Sequence, residues 1–282
     1  MTPMDYTLHR RRIEFQGHTR TFLVVEPSHL GPHPDLLLFF HGSLQSGNVM
    51  RRFTNGTFDE LAQRTGTVLV YPDGVDRHFN DCRAQLPVAA RELGIDDVAF
   101  TRELIRLMRA EFSTSRTLAC GYSNGGQMVL RLLFDAPGLI NRACIFASTL
   151  GEGANHAPSN PESAYIPTPV LFMHGTSDPL APYEGGVAGI DAARTRGPVT
   201  SAEWTARHFA ALNGADSRPQ ITAPYPGVKL RRWEADNPVE LLTMEGVGHV
   251  IPSGNEIDPR LGATTDAFRA ANVVERFFGL RR

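Results

Sequence analysis

The chain has 282 residues, 41% of them hydrophobic and 21% charged, with a formal net charge of −2. That is the composition of a globular protein with a sizeable core, not of a disordered or fibrous chain. The charge balance leaves no basic surface for nucleic acid, and no apolar run is long enough to span a bilayer.

Residues 1–6 lead into His9-Arg10-Arg11-Arg12 and then an alternating pattern, with no apolar stretch of signal-peptide length after the arginines. The expected compartment is the cytoplasm, or the outside of the cell if a leader has been removed. Arg12–Phe15 and Arg20–Val25 flank Gln16-Gly17-His18-Thr19 and predict an antiparallel hairpin. Leu36-Leu37-Leu38-Phe39-Phe40 and Thr67-Val68-Leu69-Val70-Tyr71 are continuously apolar. That pattern predicts central strands covered on both faces. A helix is expected between them, around Phe58 to Gln63. Asp96-Asp97 opens a helical pattern through Val98, Leu104, Ile105 and Met108, with acidic residues suited to a helix start. Further strands are expected at Thr117–Cys120, Ala143–Ala147, Pro169–Met173 and Glu240–Met244. Helices are expected from Gln127, over Ser201–Leu212 and over Thr265–Phe278.

Strands alternating with helices imply βαβ units and a mostly parallel central sheet, with helices on both faces and the N-terminal hairpin at its side. Residues 1–282 read as a single catalytic domain. Residues 150–166 read as an excursion loop or small lid. The segments 180–199 and 223–227 read as ordinary loops. The three cysteines, Cys82, Cys120 and Cys144, are too few and too irregular for a disulfide framework. Cys120 and Cys144 lie in apolar runs and read as buried thiols. Cys82 lies in a loop, with a free thiol and a disulfide both open. No ligand cluster suggests a metal.

The chemistry centres on Gly121-Tyr122-Ser123-Asn124-Gly125-Gly126, set between a strand and a helix. Strand, Gly-x-Ser-x-Gly, helix is the setting of a nucleophile elbow, whose turn is too tight for bulky flanking side chains. Ser123 is the candidate nucleophile, and the Asn124 amide a candidate oxyanion donor. A serine nucleophile needs a base, and the base needs an acceptor that fixes its tautomer. In this architecture the chain order is Ser, then Asp or Glu, then His. His174-Gly175-Thr176-Ser177-Asp178 follows one later strand and Gly246-Val247-Gly248-His249 the next. Asp178 is the expected acceptor, ahead of Glu184, Asp236 and Asp258, and His249 the expected base. The two glycines are read as giving the His249 loop flexibility. His41-Gly42-Ser43-Leu44 ends an earlier strand, where the second oxyanion donor belongs. The Ser43 N–H is preferred to that of Leu44. His41 is read as structural. Leu44, Tyr122, Phe79, Tyr183 and Ile251 are read as possible pocket walls.

The chain resembles the α/β-hydrolase esterases that include polyhydroxybutyrate depolymerases, feruloyl esterases and acetylxylan esterases. The resemblance covers nearly the whole chain. It rests on Phe40-His41-Gly42-Ser43, Tyr71-Pro72-Asp73-Gly74, Asp96-Asp97-Val98-Ala99-Phe100, the Gly121–Gly126 elbow, His174–Asp178 and Gly248-His249. It implies the α/β-hydrolase fold and a Ser-His-Asp esterase with an acyl-enzyme intermediate, no cofactor and no metal. Where relatives often carry a Trp-Asn pair, this chain has Phe79-Asn80-Asp81. The expected substrates are small soluble esters of feruloyl, acetyl or hydroxyalkanoate type, with no nucleic-acid or membrane partner. The alternatives are a peptidase or dienelactone-type hydrolase on the same fold, since fold does not fix substrate, or a non-catalytic ligand-binding protein.

Overall fold

Six strands expected from the sequence line up in parallel in the middle of a ten-stranded sheet. The computed structural model describes residues 5–189, 194–215 and 218–280. In chain order the elements are β1 (Tyr6–Phe15), β2 (His18–Pro27), β3 (Leu36–Phe40), α1 (Gly47–Phe53), α2 (Thr57–Thr65), β4 (Val68–Pro72), α3 (Ala89–Glu92), α4 (Asp97–Phe112), β5 (Thr117–Tyr122) and α5 (Asn124–Asp135). There follow β6 (Arg142–Phe146), β7 (Val170–Gly175), β8 (Gly186–Gly189), β9 (Thr195–Val199), α6 (Ala202–Leu212), β10 (Gln220–Tyr225), β11 (Val228–Trp233), β12 (Val239–Met244) and α7 (Ala270–Phe278). The sheet order is β1-β2-β4-β3-β5-β6-β7-β12-β11-β10. Strands β4, β3, β5, β6, β7 and β12 are parallel. The hairpins β1–β2 and β10–β11 extend the two edges antiparallel.

The continuous apolarity of the central strands has the expected cause. Leu36, Leu38 and Phe40 of β3 face one buried cluster, with Phe100, Leu104, Val129 and Phe209 of α4, α5 and α6. Leu37 and Phe39 face a second cluster, with Met50, Phe58, Leu61, Val274 and Phe278 of α1, α2 and α7. Each such side chain contributes about 1.5–3 kcal/mol by leaving water. The fold is the α/β-hydrolase fold, mostly parallel, with helices on both faces and the N-terminal hairpin at one side.

Local signals set the helix starts. The Asp96 carboxylate accepts the Ala99 N–H at 2.8 Å, and the Ser201 hydroxyl accepts that of Trp204 at 3.1 Å. Behind the α4 start, Arg20 and Asp97 form a buried ion pair at 2.6 Å, with the Arg20 guanidinium 3.8 Å over the Phe100 ring. Asp97 also accepts the Asn80 N–H at 2.7 Å. This pair ties the N-terminal hairpin to the loop that runs past Phe79.

Three sequence readings are corrected. The 223–227 turn belongs to the β10–β11 hairpin. Residues 180–199 hold β8 and β9, which pair antiparallel; residues 190–193 lie outside the described residues. The last helix starts at Ala270, not Thr265, because the Ala270 N–H is held by the Pro252 carbonyl at 2.8 Å. Residues 150–166 carry two short 3₁₀ turns, Gly153–Asn155 and Glu162–Ala164. Gly151 bridges to Val199, and His156 to Arg83. No helix among the described residues is long and apolar enough to cross a membrane.

Candidate active site

Ser43, Ser123, Asp178 and His249 each lie just past the carboxyl end of a parallel strand: β3, β5, β7 and β12 respectively. That is the edge where open α/β sheets bind ligands. Ser123 has φ 54° and ψ −119°, a strained conformation that costs on the order of 1–3 kcal/mol. Its surroundings enforce it. The Ser123 N–H donates to the Phe146 carbonyl at 3.0 Å, and the Ser148 hydroxyl donates to the Ser123 carbonyl at 2.6 Å. A Cβ on Gly121 would lie 2.2 Å from the Gly125 oxygen, and one on Gly125 would lie 2.1 Å from the Phe40 oxygen. The motif glycines are therefore imposed by close backbone approach.

Asn124 is the first residue of α5, where N–H groups have no intrahelical acceptor and the helix dipole is positive. In the β3 loop, the Leu44 N–H is committed to the Arg77 carbonyl at 3.0 Å, and the Gln45 N–H to that of Gly42. The Ser43 N–H makes no hydrogen bond among the described residues. That distinguishes it from Leu44 as a candidate oxyanion donor.

The His249 Nδ1 lies 2.7 Å from the Asp178 Oδ2, with both side chains buried. A carboxylate accepts, so Nδ1 carries the proton and Nε2 is left as the basic nitrogen. Asp178 Oδ1 accepts the Leu180 and Ala181 N–H groups, each at 2.8 Å. The His174 Nε2 stands 3.4 Å from Asp178 Oδ2 and donates to the Ala181 carbonyl at 2.8 Å. Burial alone would push the Asp178 carboxyl up. The charge of His249 and the hydrogen bonds from His174 and His249 outweigh it and hold Asp178 well below the usual carboxylate range.

Close packing accounts for Gly248 in the His249 loop, while Gly246 adopts φ 69° with open space beside it. A Cβ on Gly248 would lie 2.1 Å from the Leu261 oxygen, and one on Gly175 would lie 2.1 Å from the Val247 oxygen. The Tyr122 hydroxyl donates to the His249 carbonyl at 2.7 Å, with the two rings 5.0 Å apart. Ser43, Ser123 and His249 share one cavity of about 650 Å³.

Of the proposed pocket walls, Leu44 and Tyr122 line this cavity. Phe79 is buried against His41 and Phe40. The Tyr183 hydroxyl is engaged with Thr243 at 2.7 Å, and Ile251 is in the core. His41 is structural. Its Nε2 accepts the Gly74 N–H at 3.0 Å and its Nδ1 donates to the Gly42 carbonyl at 2.8 Å. All three cysteines are buried free thiols, and burial pushes Cys82 up to about 12.

Sequence reasoning missed the network beneath the elbow. The Asn124 side chain accepts the Phe79 N–H at 2.8 Å and donates to the Phe79 carbonyl at 3.0 Å and to Asp81 at 2.8 Å. Asp81 holds the buried Arg83 through Nη2 at 2.6 Å and Nε at 3.1 Å. Arg83 in turn lines the cavity. The Asn-Asp-x-Arg order after Phe79 was the available signal, but nothing local says which way it points.

His41 also sets a pH dependence of stability. Burial lowers its pKa to about 4, against the opposing pull of Gly42 and Asp73. The unfolded chain takes up this proton from about pH 6.5, while the folded chain holds the ring neutral until about pH 4. The unfolded state therefore binds more protons in that window. The contribution is full above pH 6.5 and falls by roughly 3 kcal/mol on acidification to pH 4. Urea midpoints at pH 7 and 4.5 should show the loss, and His41→Gln should show a smaller one. An identical loss in that variant would assign the effect to other groups.

No family model matches the chain. A curated protein named "Putative esterase NocK", from Nocardia uniformis subsp. tsuyamanensis, is 27% identical over 271 residues, covering 89% of this chain and 76% of that protein. The bifunctional acetylxylan esterase/xylanase XynS20E of Neocallimastix patriciarum is 29% identical over 171 residues, covering 60% of this chain and 23% of that protein. Among solved structures, an acetyl xylan esterase from Aspergillus awamori superposes with a TM-score of 0.68 at 13% identity, covering 98% of this chain and 100% of that one. At that identity the likeness is one of fold.

Proposed function

We propose that this chain, a carboxylic ester hydrolase of the α/β-hydrolase fold, acts as one catalytic unit that cleaves small soluble esters through an acyl-enzyme on Ser123. His249 takes the Ser123 proton as the oxygen attacks the ester carbonyl. Asp178 holds the imidazole in the required tautomer and stabilises its charged form. The Ser43 and Asn124 amides, with the positive end of α5, stabilise the oxyanion. The intermediate collapses as His249 returns the proton to the leaving alcohol. Water, activated by the same His249, then releases the acid and restores Ser123.

The observation that carries this reading is the 2.7 Å contact of His249 with Asp178 at the cavity that Ser123 shares. Acetyl, feruloyl and hydroxyalkanoate acyl groups are the proposed substrates. The cytoplasm remains the proposed compartment, and the three unpaired thiols are compatible with it.

A panel of 4-nitrophenyl acetate and butyrate, methyl ferulate, acetylated xylan and hydroxybutyrate oligomers tests the proposal. Turnover of the short nitrophenyl esters is expected, with the corresponding nitroanilides cleaved at least ~10²-fold more slowly. Cleavage of the amides in preference to the esters would overturn it in favour of a peptidase.

A further inference from the structure

The two amides assigned to the oxyanion come from distant parts of the chain, Ser43 after β3 and Asn124 at the start of α5. Both have to stand about 2.7–3.1 Å from one oxygen, so their separation must be fixed. A chain of contacts beneath the elbow runs from one to the other. The Asn124 side chain is buried, and each of its polar atoms is used. Oδ1 accepts the Phe79 N–H at 2.8 Å, while Nδ2 donates to the Phe79 carbonyl at 3.0 Å and to Asp81 Oδ2 at 2.8 Å. One planar amide thus takes both backbone groups of Phe79, which cannot turn without breaking buried hydrogen bonds. The Phe79 ring is fully buried, with its centroid 4.6 Å from that of His41 and 5.3 Å from that of Phe40.

His41 passes the constraint on. Its Nδ1 donates to the Gly42 carbonyl at 2.8 Å, and its Nε2 accepts the Gly74 N–H at 3.0 Å. The Gly42 carbonyl and the Ser43 N–H belong to the same peptide unit. That unit is planar and trans, with the N–H opposite the C=O, so holding the oxygen aims the Ser43 N–H. A hydrogen bond to the carbonyl also polarises the unit and strengthens its N–H as a donor. The Gln45 N–H shares this carbonyl through the longer bond, 3.2 Å. A buried Asn that only filled space would be a costly choice. The contacts that Asn124 begins lead instead to the peptide that carries the other donor.

We propose that Asn124 is a positioning residue through its side chain: the clamp on Phe79, relayed by His41, sets the Ser43 N–H against the Asn124 main-chain N–H. This rests on the esterase reading above and its oxyanion assignment, and deepens both.

Asn124→Ala tests it, because the main-chain N–H stays and only the clamp goes. With 4-nitrophenyl butyrate, kcat should fall about 10–100-fold, less than the roughly 10²–10³-fold cost of losing a donor outright. KM should stay within severalfold. The inhibitor 1,1,1-trifluoro-2-hexanone forms a serine adduct that carries an oxyanion, and it should bind more weakly by the same factor. The unfluorinated 2-hexanone should bind as it does to the wild type. The pH profile of kcat/KM, set by His249, should keep its midpoint. Phe79→Leu keeps the backbone bonds to Asn124 and trims the ring on His41; it should show the same signature with a smaller loss. Because the two residues act in series, the double variant should lose no more than Asn124→Ala alone. Unchanged fluoroketone affinity in Asn124→Ala, an equal loss for 2-hexanone, a shifted midpoint, or additive losses in the double variant would each overturn the clamp and leave the esterase reading intact. If Asn124→Ala does not fold, Phe79→Leu decides, and wild-type fluoroketone affinity there overturns the relay. A wild type that cleaves no ester and forms no fluoroketone adduct would instead remove the oxyanion hole itself, and the clamp with it.

Discussion

Ser123→Ala should lower turnover of short nitrophenyl esters by at least ~10⁴-fold and leave the fold intact. The scale follows from what nucleophile removal costs in serine hydrolases, where the remaining machinery cannot act alone. The fold should survive because the elbow is held by groups that Ala retains. The Ser123 N–H still reaches Phe146, and the Ser123 carbonyl still receives the Ser148 hydroxyl. The glycines at 121 and 125 still admit the close backbone approach. The residue is half-buried at the cavity, so losing its Oγ opens no sealed void. Steady-state kinetics with circular dichroism checks both parts. Activity within tenfold of wild type would remove Ser123 from the mechanism.

Asp178→Asn should cost about as much, on the order of 10⁴ in kcat, for a different reason. Asp178 Oδ1 accepts two backbone N–H groups and Oδ2 faces His249 Nδ1. The amide oxygen of an Asn would take the Leu180 and Ala181 donors and turn its NH₂ toward the imidazole. His249 would then have to accept at Nδ1 and carry its proton on Nε2, where it cannot deprotonate Ser123. The loss is thus one of tautomer, with packing kept. The variant should keep its Tm within a few degrees and its KM within severalfold, while kcat collapses. Near-normal kcat would show that Asp178 does not orient the base.

The sequence revealed most where its signal was local. β3, β5, β7 and β12 are short strands buried along their whole length, and apolar apart from Thr117, His174, Glu240 and Thr243. Each candidate residue follows such a strand within a few positions, so reading the strand ends was nearly enough to place Ser43, Ser123, Asp178 and His249 at one edge of the sheet. The edge hairpin β10–β11 was hidden because β10 is exposed nearly throughout and interrupted by Pro224, where its register shifts. A strand with no buried face carries no apolar pattern to read. β8 and β9 were hidden because Gly186, Gly189, Gly197 and Pro198 are poor strand formers. Tertiary pairing, not propensity, makes them strands. The same limit applies around the site. Asp81 meets Asn124 across 43 residues, and Gln127 meets Thr149 across 22. Arg196 joins the same cavity from β9. Nothing periodic links such positions, and only the folded chain brings them to one wall.

The most direct test of the central claim, that His249 and Asp178 activate Ser123 as a covalent nucleophile, is intact-protein mass spectrometry after exposure to a fluorophosphonate. This account predicts a single adduct that maps to Ser123 in the folded wild type and is absent from Ser123→Ala. It also predicts an adduct that forms at least ~10³-fold more slowly in Asp178→Asn. An unlabelled Ser123 in folded, ester-cleaving protein, or an adduct on another residue, would contradict it.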